Sequence, residues 1–240
     1  MLKLHTTITY LALFVSSTHT YALSTFRATY ELTVGPLTVG EMHRTFELNE
    51  QGAYTFVSTF KTTGFAALVR KEQVSEISTG MLDAGAFLPE RYTYVRKSRK
   101  KPRNVAMRFN RGLSTIETTV NAELSTSDLK PGTLDKLIYQ AALMADLAAG
   151  SHILEYRIAD RGKEKTYRPS VETGISIDTI FGQLETVKVV RLSKNGQKKT
   201  IFWCASKLNF LPVRVLHADD DGTETVVSLV EYTGVRSPAK

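Results

Sequence analysis

Residues 133–150, TLDKLIYQAALMADLAAG, are the only stretch of the chain whose apolar residues recur at helical spacing, and the reading of the fold turns on them. Pro131 and Gly132 break whatever precedes, Thr133 offers a hydroxyl to the first turn, and Gly150 supplies a left-handed exit. A helix over about 134–149 is the expectation. Leu134, Leu137, Ile138, Ala141, Met144, Ala145 and Ala148 fall on one side at steps of three and four, which marks that side as core-facing. Asp135, Tyr139 and Asp146 fall opposite, and so does a second apolar pair, Leu143 and Leu147, one turn apart. A helix lying on one flat sheet would leave that pair in water, so a second surface must cover it.

Outward from the helix the sequence has the period of strands. Phe26, Ala28, Tyr30, Leu32 and Val34 alternate with Thr25, Arg27, Thr29, Glu31 and Thr33, the pattern of a half-buried strand. Gly35-Pro36 turns the chain, and a shift of phase near Gly40 predicts a bulge. Tyr54, Phe56, Ser58 and Phe60 make a third strand, followed by strands over 69–78, 91–96, 105–109 and 113–119. Thr63 to Leu68 is too apolar for a plain loop and is expected to tuck under the sheet, with lining a pocket mouth as the alternative. After the helix, Leu154, Tyr156 and Ile158 lead into a hairpin tip at Asp160-Arg161-Gly162-Lys163. Lys194-Asn195-Gly196 joins strands 184–192 and 199–205, and Asp219-Asp220-Asp221-Gly222 joins the last two.

About a dozen strands and one helix make a mostly β chain. A twisted antiparallel sheet of ten or more strands curls, closes or splits. The expected architecture is a large curved antiparallel sheet or incomplete barrel packed against one α-helix, the sheet wrapping both helix flanks. Two sub-sheets, 24–119 and 151–233, joined through the helix are the alternative.

The first 22 residues carry Lys3, an apolar run from Ile8 to Val15, and small residues ahead of Ala22, the pattern of a secretory signal cleaved after about Ala22. The apolar run falls well short of the ~20 residues that span a bilayer, so no transmembrane segment is expected in the mature chain. Residues 23–240 then form a single β-rich domain of 218 residues, and loss of Lys3 lowers the formal charge from +7 to +6. A domain of this length buries roughly 70% of its unfolded surface without staples. Cys204, the one cysteine, has no internal partner, and Ile201, Phe202 and Trp203 beside it favour burial.

His43, His152 and His217 stand far from one another and from Cys204, so no local metal motif exists. G-x-S-x-G, phosphate-loop and dinucleotide signatures are also missing, and neither a cofactor nor a catalytic residue is indicated. A hydrolase would have to assemble its groups from distant positions. The segment Arg96-Lys97-Ser98-Arg99-Lys100-Lys101-Pro102-Arg103 holds six basic residues in eight between two strands. It reads as a solvated hairpin tip that guards a strand edge, or as a polyanion contact in which Arg96, Lys97, Arg99, Lys100, Lys101 and Arg103 meet an anionic membrane surface. No aromatic residue is interleaved to stack bases, so nucleic acid is not among the expected partners.

Four segments, in order, carry a resemblance: Phe26-Arg27-Ala28-Thr29-Tyr30, Leu88-Pro89-Glu90-Arg91-Tyr92, Leu134-Asp135-Lys136-Leu137, and Phe202-Trp203 followed by Leu211-Pro212-Val213-Arg214. Over about 24–232 the chain resembles the bacterial envelope family catalogued as domain of unknown function 3108. The resemblance implies a periplasmic, mostly β domain of a Gram-negative bacterium and brings no catalytic residues. The functional expectation is a non-catalytic periplasmic protein that binds a lipid or other amphiphile in an apolar cleft between sheet and helix, lined by Phe65, Leu143, Leu147, Trp203 and Phe210. An accessory protein that binds another envelope protein through a strand edge is the alternative.

Overall fold

Period-two alternation sets most of the chain as strands. β1 (Phe26–Val34), β2 (Leu37–Leu48), β3 (Ala53–Thr62), β4 (Glu72–Asp83), β5 (Ala86–Ser98), β6 (Arg103–Asn110), β7 (Thr115–Val120) and β8 (Glu123–Asp128) come first. A short helix, α1 (Gly64–Val69), interrupts them between β3 and β4. Next come β9 (Thr133–Asp135), helix α2 (Ile138–Ala148), β10 (Tyr156–Asp160) and β11 (Lys163–Tyr167). β12 (Ser170–Thr179), β13 (Gly182–Leu192), β14 (Lys199–Ala205), β15 (Leu211–Ala218) and β16 (Glu224–Gly234) follow. This computed structural model describes residues 23–69, 71–193 and 195–234. The signal segment 1–22 with its cleavage after Ala22, Arg70, Lys194 of the expected turn, and the residues after Gly234 lie outside them.

Thirteen strands form one antiparallel sheet in the order β12-β13-β14-β15-β16-β1-β2-β3-β4-β5-β6-β7-β8, with its two edges unjoined. Two meanders therefore meet at β1 and β16, where Phe26 lies opposite Gly234 and Val34 opposite Thr225. The two-sub-sheet alternative does not occur. The bulge expected near Gly40 is present: Leu32 pairs with Gly40 but Thr33 pairs with Thr38, leaving Val39 as the extra residue. A side chain at Gly40 would run into the Phe60 ring and come within 2.8 Å of the Lys61 carbonyl, so close strand approach requires glycine there. A second bulge, where Thr79 pairs with Arg91 and Gly80 with Pro89, lets a proline sit inside β5.

The inward faces of β1, β2, β3 and β5 supply an aromatic nucleus. Phe46 stacks on Phe26 at 5.8 Å between ring centroids and meets Phe56 at 5.6 Å and Phe87 at 6.2 Å edge-on. Beside it, on the same concave side, α2 and the three-stranded sheet β11-β10-β9 form a plug. Strands far apart in the sheet reach that plug. Arg44 of β2 donates to Gln140 at 2.7 Å, Ser78 of β4 donates to Asp135 at 2.6 Å, and Arg191 of β13 lies 4.4 Å over the Tyr167 ring. Only a strongly bent layer brings β2, β4 and β13 to one helix and its flanking strands. Leu143 and Leu147 are accordingly 0% and 4% exposed, covered as their position opposite the main apolar side required.

The plug also departs from the sequence reading. Thr133–Asp135 is a strand paired in parallel with β10, so the helix begins near Ile138 rather than near residue 134. The Asp135 carboxylate, not the Thr133 hydroxyl, holds its first turn: one oxygen accepts from the backbone N–H of Leu137 at 2.9 Å and of Ile138 at 3.0 Å. Of the three residues read as lying opposite the core side, Tyr139 is 3% exposed because the three-stranded sheet covers it with Tyr156 and Tyr167, Asp135 is 0% exposed and lies in β9 rather than on the helix, and Asp146 is half-buried. Residues 63–68 do not tuck under the sheet. Gly64–Val69 form α1, whose Phe65, Leu68 and Val69 stand 77%, 82% and 75% exposed.

Candidate functional site

Antiparallel pairing decides which connections share an end of the sheet. β3 ends at Thr62 and β4 begins at Glu72, which lies opposite Ser98 at the end of β5, and Arg103 begins β6 opposite Arg96. The α1 connection and the basic hairpin therefore emerge from the same rim, two strand spacings or about 10 Å apart. The β1–β2 turn joins them there with Leu37, 65% exposed. The rim thus carries four exposed apolar side chains beside six basic residues in eight. The acidic turn at Asp219–Asp221 lies at the same end but across β16, β1 and β2, and Lys198 pairs there with Asp219 at 2.7 Å and Asp220 at 3.5 Å. The rim is charge-polarised, basic over β5–β6 and acidic over β15–β16.

Of the basic run, Arg96 is mostly buried and pairs with Glu72 at 2.9 Å. Lys97 lies in a groove of about 250 Å³ on the outer face, beside Val95, Thr59 and His43, with Lys61 as a second cation. Arg99, Lys100 and Lys101 occupy the exposed hairpin tip, and Arg103 returns on β6.

The five residues read as an apolar cleft do not gather on one opening. Leu143 and Leu147 are sealed in the core, Phe65 projects from α1, and Trp203 and Phe210 are half-buried against the core from β14 and the turn after it. A wide crevice of about 1040 Å³ does run between β11 and the end of β13, lined by Lys165, Tyr167, Arg168, Arg191 and Leu192 among others. Tyr167, packed on Tyr139 at 5.3 Å, separates it from α2.

Sequence reasoning missed two carboxylates. Asp135 is fully buried, and burial pushes its carboxyl up to about 6, although bonds from Ser78, Ile138 and Leu137 pull the other way. Tyr54, 3.3 Å from the Ser78 hydroxyl, extends the same network. These partners all belong to the scaffold, and the network faces no opening in the recesses described above. Asp160 is 5% exposed, and burial alone would raise it, but Lys136, Lys165 and Arg161 outweigh that and hold it at about 2. Distances of 3.6 Å to Lys136, 2.6 Å to Lys165 and 3.2 Å to Arg161 account for the excess. The signal for Asp160 was available as its position at a hairpin tip between basic residues. The signal for Asp135, one charge inside an apolar run, looked like an ordinary helix surface.

Cys204 is buried, and its apolar surroundings push its thiol well above the ordinary range, away from reactivity. Among the described residues no cluster of three or more His, Cys, Asp or Glu is placed to hold a metal ion, and no helix is long and apolar enough to cross a membrane.

No curated protein matches the chain. A solved structure does: the crystal structure of a beta-barrel-like protein of domain of unknown function DUF1849 from Brucella abortus, at 16% identity and a TM-score of 0.56. The match covers 90% of this chain and 99% of that one, and it supports a shared barrel-like fold. The family model described as protein of unknown function, DUF3108, matches residues 29–229, which takes in the sheet from β1 into β16 together with the plug; the chain belongs to that family.

Proposed function

We propose that this protein is a non-catalytic periplasmic envelope protein that docks on an anionic amphiphile surface through the rim carrying α1 and the basic hairpin. The observation that carries the reading is the juxtaposition there of exposed Phe65, Leu68 and Val69 with Arg99, Lys100 and Lys101. Three large apolar side chains on a six-residue helix gain nothing from water. Inserted among acyl chains each contributes roughly 1.5–3 kcal/mol, and each basic residue near an anionic surface adds about 1 kcal/mol. The amphiphile expected between sheet and α2 is moved to this rim, because the flanks of α2 are filled by protein.

Cosedimentation with vesicles tests it. Vesicles containing phosphatidylglycerol should bind the protein, pure phosphatidylcholine should bind far less, and raising the salt should release it. Phe65→Ser combined with Leu68→Ser, and separately Lys100→Glu combined with Lys101→Glu, should each weaken binding by about tenfold or more. Equal binding to both vesicle types, or none to either, would rule the rim out. A second reading, addition of a strand from a partner protein, is favoured by the unjoined edge at β8, whose six residues are almost wholly exposed.

A further inference from the structure

We propose that the recess between β5, β6 and the β10–β11 turn is a binding site for a tetrahedral phosphate-type oxyanion, held chiefly by Arg103 and Arg161. This goes beyond docking at the rim and does not depend on it. The recess holds about 140 Å³ and is lined by Tyr92, Tyr94, Arg103, Lys136, Asp160 and Arg161, with Val105 and Ala159 as apolar wall. At roughly 30 Å³ for each water, that is room for four or five waters, the size of a group with four oxygens and too small for an acyl chain.

Its charge is unbalanced. Arg103, Lys136 and Arg161 line the recess with one carboxylate, Asp160; Lys165 pairs with Asp160 from outside the lining, Glu76 stands behind the wall where it accepts from the Tyr92 hydroxyl at 2.7 Å, and Arg103 has no ion-pair partner among the described residues. Arg96, directly opposite Arg103 in the β5–β6 ladder, adds a second guanidinium on the same side, and its own carboxylate partner is Glu72. Like charges opposite each other in a ladder repel, and a bound dianion would relieve that repulsion. The cations are guanidiniums in good part, the group whose planar fork matches phosphate oxygens two at a time.

Arg161 supplies an independent sign. Its Nε and Nη2 lie against the two oxygens of Asp160 at 3.2 and 3.4 Å, which fixes the plane of the guanidinium and leaves its third nitrogen unused. Yet Arg161 occupies the first position of a two-residue hairpin turn at φ +53°, followed by Gly162 at φ +74°. That turn calls for asparagine in front of glycine, because both central residues need positive φ. A long side chain there opposes the local backbone preference, as expected where the side chain is needed for what it reaches.

The turn also provides the test. Arg161→Asn installs the residue the turn favours, which offsets the loss of one of the three cations paired with Asp160, so the fold should persist while one fork of the site disappears. Calorimetric titration of the full chain with inorganic phosphate should show one site, weakened about tenfold or more by Arg161→Asn and by Arg103→Gln, with Arg161→Asn still unfolding in one cooperative transition close to the parent's midpoint. Glycerol 3-phosphate and a short-chain phosphatidic acid below its micelle concentration distinguish the sources: tighter competition by the lipid marks a headgroup, and equal competition marks a soluble phosphate or its ester. The absence of phosphate binding, undiminished binding by Arg161→Asn, or acetate binding as tightly as phosphate would each overturn the proposal. Since no vesicle is present, the recess and the rim fail independently.

Discussion

Phe46→Ala is expected to lower the free energy of unfolding by about 3–5 kcal/mol, a large part of the ~5–15 kcal/mol that holds a domain together. Phe46 is wholly buried and touches Phe26, Tyr54, Phe56 and Phe87, with centroid distances from 5.6 to 6.3 Å. Four aromatic neighbours on three other strands cannot all move into the space it leaves. β1 and β3 pair with β2 on either side in unshifted register around Phe46, so Phe26 and Phe56 stay where their registers hold them. The vacancy therefore stays open, which places the cost at the upper end for a core truncation. Urea unfolding followed by the fluorescence of Trp203 checks it. A midpoint within error of the parent's would mean that the nucleus is not packed as described.

The second large effect concerns Asp135. Its folded pKa of about 6 lies above the ordinary carboxyl value of about 4, so between those pH values the folded protein keeps a proton that the unfolded chain has released. Stability from this group is therefore full below about pH 4 and falls by about 3 kcal/mol as pH rises through 6. Asp160 has the opposite sign. Held at about 2, it contributes fully above pH 4 and is lost as pH falls toward 2. Asp135→Asn keeps an acceptor for the N–H groups of Leu137 and Ile138 and can donate to Ser78, so it should remove the decline between pH 4 and 7 and be no less stable at pH 7. Asp135→Ala strands those three donors and should be about 2–4 kcal/mol less stable than Asp135→Asn. Unfolding curves for the three proteins at pH 4.5 and 7.5 decide the matter. Persistence of the parent's slope in Asp135→Asn would place the titration elsewhere.

The parts of the fold that could be read ahead of the structure were those in which a local rule and the tertiary outcome agree. Phe26, Ala28 and Tyr30 face inward as their alternation predicts, and the bulge sits beside Gly40. The wrapping of α2 followed from Leu143 and Leu147. The misreadings come from that same wrapping. Tyr139 lies on a side of α2 that the three-stranded sheet covers and Asp135 lies in a strand before the helix, so a rule that assumes one wet helix face misplaces both. Three residues, Thr133–Asp135, fit a strand and a helical turn equally, and pairing with β10 selected the strand. The exposure of α1 was hidden because six apolar residues give no hint of whether a surface waits beneath them. The candidate sites are non-local in the same way. About thirty residues separate α1 from the basic hairpin and about sixty separate Arg103 from Arg161; ladder register brings the first pair together, and packing of the three-stranded sheet against β5 and β6 brings the second.

The meeting of β1 with β16 bears on how such a chain comes to completion. Delivered from its amino end, it presents β2 through β8 long before the second neighbour of β1 exists, and that flank stays unzipped until the residues up to Gly234 arrive. Loop closure over some two hundred residues then comes last, and it must be favourable enough to bind two half-shells into one. The final strand is thus a fastener: trimming a few residues from it would part the sheet near its middle, where a fold built from the edge inward would lose only its border.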